Sequence, residues 1–283
     1  MKSDSVLCLG SKGFHRMHYY EWGEPASPRI VICVHGLTRN ARDFDFLAGM
    51  LEGEFRVICP DVAGRGKSEW LASKTDYNYV QYMTDMTALI ARVTSGARKT
   101  VYWVGTSMGG LLGILLASVP ATPIAKLVVN DAGTLVPKAA LERMARYVGQ
   151  DPRFGTLEEL EAYLRRISAP FGPLTDEQWR HLTVHGAKQH ADGSWGMSYD
   201  PAIGFALQGA LADIDLSVQW EAIRSPTLLL RGAQSDVLLA PTAQTMTLSG
   251  PQAKLVEFAG MGHAPMLMCE NQARVVRDFL LND

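Results

Sequence analysis

The sequence is short of cysteine, of charge of one sign and of long apolar runs, and each shortage removes a class of function. Its four cysteines, Cys8, Cys33, Cys59 and Cys269, lie far apart in 283 residues and form no CxxC pair. A disulfide framework is not expected in so large a chain with this usage, and reduced thiols suit a cytoplasmic protein. Cys33 and Cys59 fall inside apolar, strand-like runs, where a cysteine acts as a small buried hydrophobe. The formal net charge is -2, so no basic surface points to nucleic acid or to an anionic membrane. The longest apolar run follows Ser107 and falls short of the ~20 residues that span a bilayer. The first residues, MKSDSVLCLGSKG, hold only the short apolar run Val6–Leu9 and no cleavage-site pattern, so no secretory signal is expected. These readings describe a soluble, cytoplasmic protein with no nucleic-acid and no membrane partner. They leave open whether it is a monomer or a homodimer.

What the chain does have is apolar mass and a regular rhythm. With 47% hydrophobic and 20% charged residues, it can bury a full core, and its length suits one large domain or one domain carrying an insertion. Apolar runs rich in β-branched residues occur at 29–36, 55–61, 100–105, 125–131, 226–232 and 253–260. Continuous apolar strands of this kind suit a parallel sheet covered on both faces. Amphipathic segments of helical length, such as 79–93 and 272–281, lie between most of them, and HRMHYYEW reads as a leading antiparallel strand. The expected fold is therefore α/β, a mostly parallel open sheet flanked by helices. The rhythm fails between residues 134 and 217, where helical patterns at 138–148, 157–167 and 176–184 are divided by prolines. That interval is expected to be a helical cap, with residues 1–133 and 218–283 forming the core domain.

The segment VYWVGTSMGGLLGILLASVP carries the chemistry. A strand-like run enters Gly105-Thr106-Ser107-Met108-Gly109, and a helix-like run leaves it. Gly-x-Ser-x-Gly at such a junction is a turn so tight that the serine's neighbours must lack side chains, which leaves its hydroxyl exposed. A serine needs a base held in one tautomer by a carboxylate. His263, in the glycine-flanked loop Gly260-Met261-Gly262-His263, and Asp236, just past the strand at 226–232, both fall at strand carboxyl ends, where reactive groups of open α/β sheets gather. Asp236 is the expected acid. Asp131, at the end of LVVND, also lies at a strand terminus and is its rival. The oxyanion of acyl transfer would be held by the amides of Met108 and of Leu37, in His35-Gly36-Leu37. Gly36 would let that loop approach, and His35 is expected to bond the loop rather than react.

The set VCVHGLTRNARDF, PDVAGRGKSE, VGTSMGG, LLLRGAQSDV and GMGHAP resembles the α/β-hydrolase superfamily, in its cap-bearing, esterase-like serine hydrolase branch. The resemblance covers nearly the whole chain outside the cap. It implies the fold, a triad on Ser107, Asp236 and His263, and oxyanion amides at Leu37 and Met108. The reaction it implies is hydrolysis of a small or medium carboxylic ester through an acyl-serine, with no metal or organic cofactor. The same triad also serves cleavage of a carbon–carbon bond or a lactone, but the GSGPGA-like loop of ring-fission hydrolases is absent, and HGLTRNARDF stands in its place. A non-catalytic ligand receptor on this fold is the reading from another class. Such proteins commonly lose a triad member, and every candidate member is present here.

Other features weigh less. Gly66-Lys67-Ser68 matches the tail of a phosphate-binding loop, but Asp61 stands where that loop needs glycine, so a turn beside the site is expected. His181 and His185 share a helical spacing, with His190 following. No HExxH glutamate accompanies them, so a polar surface is expected rather than a metal site. Arg39 and Asn40 follow the oxyanion loop and could meet a carboxylate-bearing substrate or form turn bonds. Phe171, Trp179, Trp195, Met197 and Phe205 are candidates to line an acyl pocket, and equally to fill the cap's own core.

Overall fold

In the computed structural model, which describes residues 1–96, 99–209 and 211–282, the apolar runs form one eight-stranded sheet. Its strands are β1 (Lys2–Gly10), β2 (Gly13–Trp22), β3 (Arg29–Val34), β4 (Arg56–Pro60), β5 (Thr100–Thr106), β6 (Ile124–Asn130), β7 (Thr227–Gly232) and β8 (Lys254–Phe258). They lie in the order β1-β2-β4-β3-β5-β6-β7-β8. Pairs β1–β2 and β2–β4 are antiparallel and the others parallel. The expected α/β architecture is therefore present, and 15–22 is indeed the antiparallel entry. The helices are α1 (Asp45–Leu51), α2 (Tyr79–Val93), α3 (Met108–Ala117), α4 (Lys138–Ala145), α5 (Leu157–Ile167), α6 (Asp176–Gly186), α7 (Ser217–Ala222), α8 (Ala240–Leu248) and α9 (Glu270–Leu281).

Alternation along each strand divides the core between the two faces. Ile30, Ile32 and Val34 of β3 join Trp103, Leu127 and Val129 under α2 and α3, which contribute Met86, Leu89 and Leu112. Val31 and Cys33 join Val57, Val104, Val128, Leu228 and Leu230 on the other face, covered by Leu47 and Leu51 of α1 and by Val276 and Leu280 of α9. Both faces are dry, which is why the central strands read as unbroken apolar runs. Cys33 and Cys59 are buried with free thiols, and burial pushes the Cys59 thiol well above its ordinary range. No helix among the described residues is long and apolar enough to cross a membrane.

β1 has no counterpart among the expected strands. Its inward side chains are only Val6 and Cys8, while Leu7 and Leu9 are exposed. An edge strand buried on one face offers too few apolar positions to stand out as a run. Between β6 and β7 the expected helices α4, α5 and α6 are present. Capping boxes at Thr156/Glu159 and Thr175/Gln178 start the last two. This interval also holds short strands, a hairpin of Ala187–Gln189 with Trp195–Met197 and a pairing of Leu135–Val136 with Ile214–Asp215. The second pairing joins the segment's exit from the sheet to its return.

Candidate active site

Ser107 sits between the end of β5 and the first turn of α3, in a backbone conformation that a serine seldom adopts, φ 54° and ψ -117°. The chain holds it there by close crossings. A Cβ on Gly105 would lie 2.1 Å from the Gly109 carbonyl oxygen, and one on Gly109 would lie 2.0 Å from that of Val34. No real side chain tolerates such contacts, so both glycines are structural requirements of the turn. The Ser107 amide donates to the Asn130 carbonyl at 2.9 Å, and Trp103 Nε1 donates to the Gly109 carbonyl at 2.9 Å.

The hydroxyl meets a histidine. Ser107 Oγ lies 2.8 Å from His263 Nε2, and His263 Nδ1 lies 2.7 Å from Asp131 Oδ2. The carboxylate is therefore Asp131, and the expectation of Asp236 is corrected. Asp131 follows β6, beside the serine's own strand, at φ 56°. It is fully buried and accepts from three donors, the His263 ring, the Ser235 hydroxyl at 2.6 Å and the Gly232 amide at 2.9 Å. Three converging donors are what an ionised carboxylate needs in a dry site. Asp236 points elsewhere. Its carboxylate receives Arg143 of α4 through Nε at 2.5 Å and Nη2 at 3.0 Å, and its side chain is about half exposed (48%). It fastens α4 to the loop after β7.

The loop after β3 faces the serine. His35 is wholly buried. The Val62 amide donates to its Nε2 at 2.9 Å, which leaves the proton on Nδ1 to donate to the Gly36 carbonyl at 2.7 Å. Burial pushes this imidazole down to about 4, so it stays neutral while it bonds the loop. Gly36 has a different use from the one expected. A Cβ there would make ordinary contacts, 3.5 Å from Ser107 Cβ and 3.8 Å from Arg39 Cγ, so the glycine keeps open the space between those two side chains. Met108, the first residue of α3, has no acceptor for its amide inside the helix. Among the described residues the Leu37 amide has no backbone partner either. Arg65 is a residue that motif reasoning passed over. Buried completely, it donates to the Leu37 carbonyl (2.9 Å), the Ala63 carbonyl (2.7 Å) and Tyr82 Oη (2.8 Å), with Met108 Sδ 3.8 Å from Nη2. It props both halves of the amide pair at once. The Lys67 amide donates to Asp61, whose carboxylate fills the space beside Gly66.

Two chambers open at Ser107. One, of about 340 Å³, is apolar, bordered by Met108, Leu111, Val136, Leu141, Ile203 and Leu207 among others. The other, of about 70 Å³, is bordered by His263, Arg39, Asp43, Arg143, Ser168 and Phe171. Leu37, Ser107 and Met144 border both. Of the expected pocket residues, Phe171, Met197 and Arg39 therefore line the site. Trp179, Trp195 and Phe205 do not. Trp179 stacks on Phe171 (centroids 6.2 Å apart) beneath the Arg165 guanidinium, Trp195 pairs with Phe154 in a β-bridge, and Phe205 lies under the Lys74 ammonium. These three are packing groups. Asn40 caps the short helix at 41–44 and donates to the His185 carbonyl at 3.0 Å. His181 and His185 converge on Asp45, with Arg42 already bonded to that carboxylate at 2.5 to 2.8 Å. His190 is not among them.

A serine on a strained strand-to-helix turn, a histidine from the loop after the last strand and a sheet of this order define a serine hydrolase of α/β architecture. Residues 31–278 match the alpha/beta hydrolase family, and the chain belongs to it. A 3-hydroxybutyrate-oligomer hydrolase of Cupriavidus necator is 46% identical over 97% of this chain and 96% of its own. A solved structure from Rickettsia typhi superposes with a TM-score of 0.92 at 31% identity, over 99% of both chains. An alpha/beta hydrolase of Novosphingobium aromaticivorans superposes with a TM-score of 0.86 at 34% identity, over 98% of both.

Proposed function

We propose that this ester-hydrolysing enzyme acts on short oligoesters of 3-hydroxy acids, of the 3-hydroxybutyrate kind, through an acyl-serine. The observation that carries the reading is the continuous relay Ser107–His263–Asp131 at the meeting of two chambers. The similarity to the Cupriavidus necator enzyme, which spans nearly the whole chain, supports the choice of substrate.

In this reading His263 accepts the serine proton as Oγ attacks the ester carbonyl carbon, and Asp131 holds the proton on Nδ1 and offsets the imidazolium charge. The amides of Leu37 and Met108 receive the oxyanion. Neither amide is spent on a backbone acceptor among the described residues, so little reorganisation would accompany the rise of charge. Collapse breaks the carbon–oxygen bond, and His263 returns its proton to the departing alkoxide. Water, deprotonated by the same imidazole, then releases the acid from Ser107. The apolar chamber is at the small end of the roughly 300–1,000 Å³ range of ligand sites, which favours a short acyl part.

The test is incubation of the purified protein with linear 3-hydroxybutyrate dimer and trimer, with monomer release followed by chromatography. A fluorophosphonate label on Ser107 serves as a count of active sites. Release that disappears in Ser107→Ala supports the proposal. Rapid turnover of p-nitrophenyl butyrate with untouched oligomers refutes the substrate assignment.

A further inference from the structure

We infer that the leaving group of the scissile ester carries a free carboxylate bound by the outer edge of Arg39, so that oligoesters are shortened one hydroxy acid at a time from their carboxylate end. This inference rests on the oligoester reading above and gives the site a direction.

The two chambers differ in which catalytic group they contain. Met108, whose amide would hold the oxyanion, borders only the apolar chamber, and His263 borders only the small one. A general acid must stand beside the oxygen it protonates. The departing alcohol therefore occupies the His263 side, and the acyl part occupies the apolar side among Leu111, Val136 and Leu141.

Arg39 borders the small chamber and has an unmet cation edge. Arg39 is 7% exposed and engages Asp43 through Nε (2.8 Å) and Nη2 (2.7 Å), while its Nη1 is buried with no hydrogen-bond partner. Both Asp43 oxygens are occupied by that fork, so the carboxylate has no further claim on the guanidinium. A buried donor without an acceptor is costly to leave unmade, and planar N–H edges match carboxylates. His263 and Arg39 border the same chamber. One absent side chain, that of Gly36, separates Ser107 from the Arg39 stem. In a 3-hydroxy acid two carbons separate the ester oxygen from the carboxylate. On this assignment a leaving hydroxy acid keeps its oxygen at His263 and turns its carboxylate to Arg39. An internal unit, whose carboxyl is esterified, brings no charge to that edge.

Balance is that of ordinary hydrolysis. The bond from the acyl carbon to the terminal unit's oxygen breaks, that oxygen takes the proton from His263, and one water completes the acid on the acyl side.

The experiment compares 3-hydroxybutyrate dimer with its methyl ester, each protein serving as its own reference through the ratio of the two kcat/KM values. The wild type should favour the free acid at least ~10-fold, the worth of one charge-assisted contact. Arg39→Lys keeps a cation for Asp43 but removes the planar edge. It should bring the ratio near one, mainly by raising KM for the acid. Gly186→Val leaves the ion pair intact and sets a Cβ 3.7 Å from Nη1 with nothing else within 4 Å. It should lower the ratio too, and it covers the case in which Arg39→Lys does not fold. Tetramer should give monomer and trimer as first products rather than two dimers. Equal rates on acid and methyl ester, or dimers from tetramer, overturn the direction and leave the oligoester reading standing. If neither dimer is cleaved while p-nitrophenyl butyrate is, the substrate assignment falls and the inference with it.

Discussion

Replacing Asp131 with asparagine tests the relay at its least expected member. The carboxylate accepts from three donors, with Oδ2 shared by His263 and Ser235 and Oδ1 taken by Gly232. An asparagine has one oxygen. If it takes the Oδ2 position, its NH2 faces the Gly232 amide, donor against donor. If it takes the Oδ1 position, the NH2 faces His263 Nδ1 and drives the ring proton to Nε2, where the ring can no longer accept from Ser107. Neither placement supplies the negative charge that offsets an imidazolium. The loss should resemble that of a serine protease with its triad aspartate so changed, about 10⁴ in kcat, or ~5 kcal/mol of barrier. Asp236→Asn is the matched control. Its ion pair with Arg143 is half exposed, and such pairs contribute ~1 kcal/mol or less, so activity should stay within a factor of about five. Both variants are assayed on p-nitrophenyl butyrate, with folding checked by thermal melting. An inactive Asp236→Asn beside an active Asp131→Asn would refute the geometry of the relay.

Ser107→Ala should stay folded and lose about four orders of magnitude in turnover. Ser107→Gly should be equally inactive yet melt higher than Ser107→Ala, because it releases part of a positive-φ strain worth ~1–3 kcal/mol; an identical melting temperature would contradict this. Gly109→Ala forces a carbon onto the Val34 carbonyl and should cost about 3 kcal/mol or more in urea unfolding, with loss of activity. His35 has a folded value of about 4 against 6.5 when unfolded, so the unfolded chain takes up the proton first. Its contribution, on the order of 3 kcal/mol, is present above pH 6.5 and lost as pH falls towards 4. Unfolding of wild type and His35→Asn at pH 7.5 and 4.5 should show the steeper acid loss in the wild type, and parallel slopes would count against it.

Ser107 and His263 were readable because each stands in a local pattern whose glycines follow from the tight turns that expose it. The acid was not, since two carboxylates end neighbouring strands and nothing adjacent to either reports which one meets the ring. That choice is made by the positive φ at Asp131 and by Ser235, a residue without a motif. Arg65 escaped notice for a related reason. It lies in a turn that looks like a loop beside the mouth, and its partners Leu37, Tyr82 and Met108 come from three other segments. The aromatic residues between β6 and β7 share one composition whether they pack or line a chamber, so only the packing of α5 and α6 separates Phe171 from Trp179. The central strands were plain in the sequence because both their faces are dry. β1 was hidden because one of its faces is wet.

The pairing of Leu135–Val136 with Ile214–Asp215 ties the two ends of the interposed segment to each other, and that tie begins four positions after Asp131. A shift of that tie would reach the residue that steadies the imidazole within a few peptide bonds. A segment transplanted from a relative would then bring along its own setting of the acid together with its own chamber walls.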